Sequence, residues 1–394
     1  MLTLFLYFEA AGAGAAAIAP NTIFALAGVA LWLMAGRKEA LLVGFFTGVF
    51  WFWWVGLSFR FTPYPFLAPI AALAIALMYG LFFWLIAFLP LWGRAAAIAF
   101  GFLIVEPFGF AWFKPELLLI NTIFSAHKAA FFCVVGAVAL LVYLRKSPLP
   151  KRYILPLAAI LLIAAVFLPI PSAPPPLAMR IYLANTNISQ DRKWQPNEIY
   201  SESINAIKTI DSAIDEGYDL IVLPEAAFAL FLNEEKSLLN ALLDRSYDIA
   251  IITGALRIKD RLPYNSQYIF YRGKYEIADK VFLVPFGEAS PLPKWAGRFI
   301  NNLFFEGAVD YETAKKPTDF TINGSIFRAA ICYEAAIEAM HKNSPGYMIA
   351  ISNNGWFVPS IEPTMQKLLI KLYAKRYGTT VFHASNESQS EVIN

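Results

Sequence analysis

Three residues of this chain are of the types that covalent acyl transfer needs: Glu225, Lys280 and Cys332. Cys332 sits in Phe327-Arg328-Ala329-Ala330-Ile331-Cys332-Tyr333-Glu334-Ala335, where a small apolar run reads as a buried strand and the residues after it as a helix start. A thiol at a strand-to-helix turn points away from the core, and main-chain N–H groups face whatever it attacks. Taken singly, a free cysteine is most often a small buried apolar residue. The other cysteine, Cys133, lies inside a hydrophobic segment. Glu225 ends Asp219-Leu220-Ile221-Val222-Leu223-Pro224-Glu225. The proline stops the strand ladder, so the carboxylate is aimed outward from the sheet end. Lys280 stands before Val281-Phe282-Leu283-Val284, which suits a snorkelling side chain or a buried functional cation. Glu225 alone reads equally as a turn residue. Together the three supply a base, a cation for an oxyanion and a sulfur nucleophile.

The elements that must position them alternate between strand and helix. Strands are expected at Met179–Ala184, Tyr218–Leu223, Asp248–Ala255, Ser266–Tyr271, Lys274–Ala278, Ser325–Ile331, Tyr347–Ser352 and Thr379–Ala384. Helical periodicity covers Asn197–Glu216, Glu234–Arg245, Ala335–Lys342 and Thr364–Gly378. This is an α/β layout with helices packed on sheets.

The rest of the chain is of a different composition. Of 394 residues, 58% are apolar and 15% charged, too apolar for a water-soluble protein of this size. Before Asp191 the only acids are Glu9, Glu39, Glu106 and Glu116. Seven apolar segments fit membrane helices, at about 2–19, 21–36, 40–59, 66–92, 95–113, 129–144 and 153–170. The first two meet at Pro20-Asn21, which reads as a tight hairpin. With the N-terminus in the cytoplasm, the inside loops carry Arg37, Lys38, Arg94, Arg145, Lys146, Lys151 and Arg152, and the outside loops only Arg60, Lys114 and Lys128. That obeys the positive-inside rule and places the α/β half on the far side. The expected boundaries are a transmembrane domain of about seven helices over 1–171, a Pro-rich linker over 172–178 and a catalytic domain over 179–394. An oxidising compartment disfavours an unpaired thiol without work to do, which favours a functional Cys332. The net charge of +3 arises in the membrane half. The α/β half has no basic stripe with interleaved aromatics, so no nucleic-acid partner is expected. His127, His341 and His383 show no ligand spacing, and no His-Glu-x-x-His or paired-cysteine motif occurs, so neither metal nor cofactor is expected.

Leu223-Pro224-Glu225, Asp279-Lys280 with Pro285-Phe286-Gly287-Glu288, and Cys332-Tyr333-Glu334 resemble the Glu-Lys-Cys pattern of the nitrilase (carbon–nitrogen hydrolase) superfamily. The preceding membrane half narrows the match: the whole chain resembles the apolipoprotein N-acyltransferase family. Gln190-Asp191-Arg192-Lys193-Trp194, Tyr264-Asn265-Ser266, and Ser352-Asn353-Asn354-Gly355-Trp356-Phe357 with Pro363 and Gln366 are similar to stretches of that family, and Glu106 to a glutamate of its membrane domain. The resemblance implies a polytopic α-helical membrane domain followed by a nitrilase-like αββα sandwich. It implies a bacterial inner-membrane enzyme, multi-pass, with its catalytic domain facing the periplasm.

It also implies a ping-pong reaction. Glu225 is the general base, Cys332 the nucleophile, and Lys280 with the N–H near Tyr333 the oxyanion stabiliser. The donor is a phospholipid and the acceptor a diacylglyceryl apolipoprotein. Glu288 and Glu334 are supporting candidates: Glu288 either holds Lys280 or is a plain turn residue, and a carboxylate at the start of a helix, as at Glu334, is favoured on structural grounds alone. Trp194 and Trp356 are substrate-side candidates. Trp295, Phe299 and Phe304 recur at helical spacing and read as an interfacial lid or as an ordinary core helix. The competing functions are a membrane-tethered amidase or nitrilase acting on small amides, and an inactive truncated relative. The resemblance implies further strands and a final membrane helix after Asn394, so the catalytic domain is expected to be incomplete at its C-terminus.

Overall fold

The computed structural model describes residues 1–101, 104–145, 151–289, 310–343 and 346–394. Two compact units make up the chain. One gathers Met1–Pro171 with Pro359–Leu372, the other Ser172–Val358 with Tyr373–Asn394.

The first unit is helical because its sequence offers long apolar runs whose main-chain polar groups can be satisfied only within the helix. Among the described residues, Gly14–Met34, Arg37–Phe61 and Leu67–Ile86 are long and apolar enough to cross a membrane. Lys128–Leu144 and Lys151–Phe167 are apolar helices of 17 residues each. The hairpin expected at Pro20-Asn21 does not form. Pro20 falls in the first turn of the helix Ile18–Met34, where a missing N–H costs nothing. The turn comes earlier, after the short helix Leu4–Ala10, at Gly12 and Gly14, both with positive φ. The segment expected to span at 95–113 is also interrupted. It holds a π-helical turn at Ala97–Gly101, and Phe108 and Gly109 have φ of 56° and 76°.

Small residues let the helices Arg37–Phe52 and Leu67–Ile86 approach closely. A Cβ on Gly48 would stand 2.9 Å from Ala76 Cα, and one on Gly44 would strike the Tyr79 carbonyl. Arg94 closes two helix ends at once, donating to the carbonyls of Ala35 (2.6 Å) and Ala87 (2.7 Å). Glu106 pairs with Lys114 at 2.7 Å. Glu9 accepts from Asn121 at 2.8 Å, and Asn121 accepts from Lys371 at 3.0 Å.

Among the described residues, the second unit is built on two six-stranded sheets. The first sheet contains β1 (Ile181–Leu183), β3 (Leu220–Val222), β5 (Ala250–Lys259), β6 (Leu262–Tyr271) and β7 (Lys274–Asp279) in that order, with β4 (Phe228–Phe231) beside β5. Its β1, β3 and β5 are parallel, and β5, β6 and β7 form an antiparallel meander. The second sheet runs β12 (Glu391–Ile393), β11 (Thr380–Asn386), β10 (Tyr347–Asn353), β9 (Ser325–Ile331), β8 (Asp319–Ile322), with β2 (Asn185–Thr186) on β11.

Side chains alternate faces along each strand, and the alternation sorts two cores. Leu220, Val222, Ile252 and Ile269 meet Phe327, Ala329, Ile331, Ile349 and Ile351 between the sheets. Ile221, Leu223, Ile251, Tyr268 and Phe270 turn the other way, onto Ile210, Ala213 and Leu242 of the helices Pro196–Asp215 and Lys236–Arg245. The fold is the expected αββα sandwich. The helix expected over Ala335–Lys342 is instead a 3-10 turn, Cys332–Ala336, followed by the four-residue helix Glu338–His341.

Candidate active site

The carboxyl ends of β3, β7, β9, β10 and β11 deliver Glu225, Lys280, Cys332, Asn353 and Asn386 to one end of the sandwich. Open α/β sheets offer ligand crevices at such strand ends. Glu225 follows Pro224, and Ala226 after it has φ of 48°, so the chain turns sharply beside the carboxylate. Only glycine fits opposite that turn: a Cβ on Gly254 would lie 2.7 Å from both Glu225 Cα and Ala226 N. Cys332 itself has φ of 55°. Left-handed backbone at a non-glycine residue is costly, and it sits here at the nucleophile candidate, where β9 breaks into its 3-10 turn.

The carboxylates and the lysine form one connected group. Lys280 Nζ lies 2.7 Å from Glu288 Oε2 and 3.9 Å from Glu225 Oε1. Asn265 Nδ2 donates to Glu225 Oε1 and to Glu288 Oε1, at 2.8 Å each. The main-chain N–H of Asn353 donates to Glu225 Oε2 at 2.9 Å. Glu288 also accepts from the Val284 N–H at 2.9 Å. Lys280 is 1% exposed. Burial pulls its ammonium down, but Glu288, then Glu225 and Cys332, outweigh burial and hold it above the ordinary lysine value. The cation is therefore charged, within the field of Cys332 and both glutamates.

Glu334 is fully enclosed and acts on the main chain. Its Oε1 accepts from the N–H groups of Val281 (2.6 Å) and Phe282 (3.0 Å), and its Oε2 from Ile331 (2.8 Å). It thereby ties the loop after Lys280 to the strand end before Cys332. Burial raises its carboxyl to about 7, against the pull of Lys280 and those three donors. Tyr333 is buried in the 3-10 turn that begins at Cys332.

Trp194 is 39% exposed, while its neighbour Lys193 is buried and donates to the Glu225 carbonyl at 3.2 Å. Trp356 is partly buried in the 3-10 turn Asn354–Trp356 that follows β10. Trp295, Phe299 and Phe304 lie outside the described residues.

Several site residues had carried no role in the sequence. Asn265, Asn353, Gln190 and Lys193 were visible only as members of family-like stretches. Asn386 accepts from the Thr186 hydroxyl and the Ile188 N–H, and donates to Asn353 Oδ1 at 2.8 Å. Tyr311 is raised to about 12, by burial first and then by Glu288 and Glu225. Nothing in the local sequence signals the last two, because polar singletons gain meaning only when the strand ends converge.

Comparison with known proteins finds relatives along the whole chain. The family model described as the apolipoprotein N-acyltransferase integral membrane domain matches residues 1–167. Apolipoprotein N-acyltransferase of Wolinella succinogenes is 38% identical over 396 residues, covering 100% of this chain and 93% of that protein. The protein of the same name from Helicobacter pylori is 35% identical over 92% of this chain and 84% of its own length. Among solved structures, XC1258 from Xanthomonas campestris, a CN-hydrolase superfamily protein, is 15% identical over 53% of this chain and 76% of its own, with a TM-score of 0.38. Saccharomyces cerevisiae Nit3, of the nitrilase superfamily, is 18% identical over 54% and 79%, with a TM-score of 0.40.

A helical unit matched by a membrane-domain family model and continued by an αββα sandwich is the class that this architecture defines. Within it, the chain belongs to the apolipoprotein N-acyltransferase family, in a match that runs through both halves. It is a membrane protein.

Proposed function

We propose that this chain N-acylates lipoproteins, passing an acyl group from a phospholipid to the α-amine of diacylglyceryl-cysteine through a thioester on Cys332. Glu225 takes the thiol proton, and the sulfur attacks the ester carbonyl. Lys280 and the N–H groups of the turn after Cys332 hold the oxyanion. The lysophospholipid alkoxide leaves with the proton from Glu225. The acceptor amine then attacks the thioester, Glu225 takes its proton and returns it to the departing sulfur, and an amide forms. A thioester suits this task because it is reactive enough to acylate an amine.

The observation that carries the reading is the grouping of Glu225 and Glu288 about one buried cation, Lys280, that also feels Cys332. The membrane unit favours a lipid donor over a small soluble amide, since a tether needs one span. On this reading the membrane is the bacterial inner membrane and the catalytic unit faces the periplasm.

Intact-mass measurement of protein purified from membranes tests it. We expect an added fatty-acyl mass that is absent from Cys332→Ala. We also expect both Cys332→Ala and Glu225→Gln to lose transfer to a diacylglyceryl lipopeptide by at least roughly a thousandfold. Substantial transfer by Cys332→Ala would defeat the covalent route.

A further inference from the structure

Lys193 is a buried cation that the mechanism above does not use. It ends the four-residue helix Gln190–Lys193 and is 3% exposed. Its Nζ donates to the Glu225 main-chain carbonyl at 3.2 Å. That carbonyl leads into the left-handed Ala226. The other end of the same helix reaches the same glutamate. Gln190 Oε1 accepts from Asn353 Nδ2 at 2.8 Å, and the Asn353 N–H donates to the Glu225 carboxylate at 2.9 Å. One short helix therefore grips Glu225 twice, through its main chain and through its side chain. A neutral donor would serve the carbonyl without the desolvation cost of an ammonium. The charge has a use only if its field acts on Glu225.

We propose that Lys193 is a positioning residue for Glu225, fixing the turn that carries the base and placing a positive charge behind it. The inference rests on the reading of Glu225 as the base.

Its surroundings fix the expected pH behaviour. Lys193 is faced by Glu225, Glu202 and Glu387. Glu225 is faced in turn by Lys280, with Glu288, Tyr311 and Cys332 around that lysine. Burial is the largest influence on Lys193 and lowers it to about 8, against the pull of the three carboxylates. A lysine lowered on folding costs stability below that value, and the cost disappears as pH rises from there toward the ordinary 10.5. Removing the charge should thus spare the fold while harming catalysis.

The test uses the full chain in detergent micelles, with phosphatidylethanolamine as donor and a diacylglyceryl-cysteine peptide as acceptor. We expect Lys193→Met to keep or raise Tm while lowering kcat by roughly tenfold or more. We expect Lys193→Arg to recover most of that loss and to hold its activity above about pH 8, where the unaltered chain declines. Lys193→Met with unchanged kcat, or with Tm and kcat falling together, overturns the inference. Glu225→Gln in the same assay separates the two levels. If it is inert beside a fully active Lys193→Met, the inference alone falls; if it is active, the base assignment falls and takes the inference with it.

Discussion

Glu334 shows how much of this site is electrostatics carried by main chain. Its three N–H donors come from two segments that must stay in register, one bearing Lys280 and the other Cys332. A carboxyl raised to about 7 holds its proton more tightly in the folded chain than in the unfolded one. Its contribution to stability is then complete below the ordinary 4.5 and is lost as pH rises through about 7. We expect the unfolding transition of the α/β unit to drop as pH is raised from about 5 to about 8, and Glu334→Gln to flatten that slope. Parallel slopes in the two proteins would rule out the raised carboxyl. At this scale the sequence revealed the charged residues and concealed their neighbours. Glu225 and Cys332 each follow an apolar strand and Lys280 precedes an apolar run, so all three stand out. Asn265 and Asn386 sit within or at the end of strands like many other asparagines. Lys193 was overshadowed by Trp194, because an aromatic looks like a binding residue and a lysine looks like surface.

Elements were legible where periodicity was clean. The alternation at Leu220, Ile221, Val222 and Leu223 sorts itself between the two cores, and the Pro196–Asp215 helix lies within a residue of its expected bounds. Two of the elements that depart from expectation do so for identifiable reasons. The Ala335–Lys342 stretch has helical spacing, but the left-handed Cys332 and the 3-10 turn consume its first residues. Pro20 looked like a break, yet a first-turn proline is compatible with a helix. β4 went unnoticed because Phe228–Phe231 follows the Glu225 turn with only a few residues between. The turn is itself held by a close approach of β5, which sets a prediction. Gly254→Ala places a Cβ 2.7 Å from Glu225 Cα, so the main chain must yield. We expect a stability loss of roughly 1–3 kcal/mol in thermal unfolding, and a fall in transfer of about a hundredfold from the displaced carboxylate. Unchanged transfer would mean that the position of Glu225 is not critical.

At the level of the whole molecule, composition separated the apolar half from the α/β half, and the family match runs through both. The orientation is argued from charge: the loops at 37–38, 94 and 145–152 are basic, those at 60, 114 and 128 much less so. We expect an export-dependent reporter inserted in an exposed loop of the α/β unit, such as the Arg272-Gly273 turn, to be active, and a cytoplasm-dependent one at the same place to be silent. The reverse pattern would overturn the assigned side. The helix Glu362–Tyr377 has a consequence for anyone who dissects this protein. Its first eleven residues belong to the unit of Met1–Pro171 and its last five to the α/β unit, and Met365, Leu368, Leu369, Ile370 and Leu372 are all buried. The two units are therefore interleaved along the chain. A fragment begun at Ser172 would carry Pro359–Leu372 without the rest of its unit.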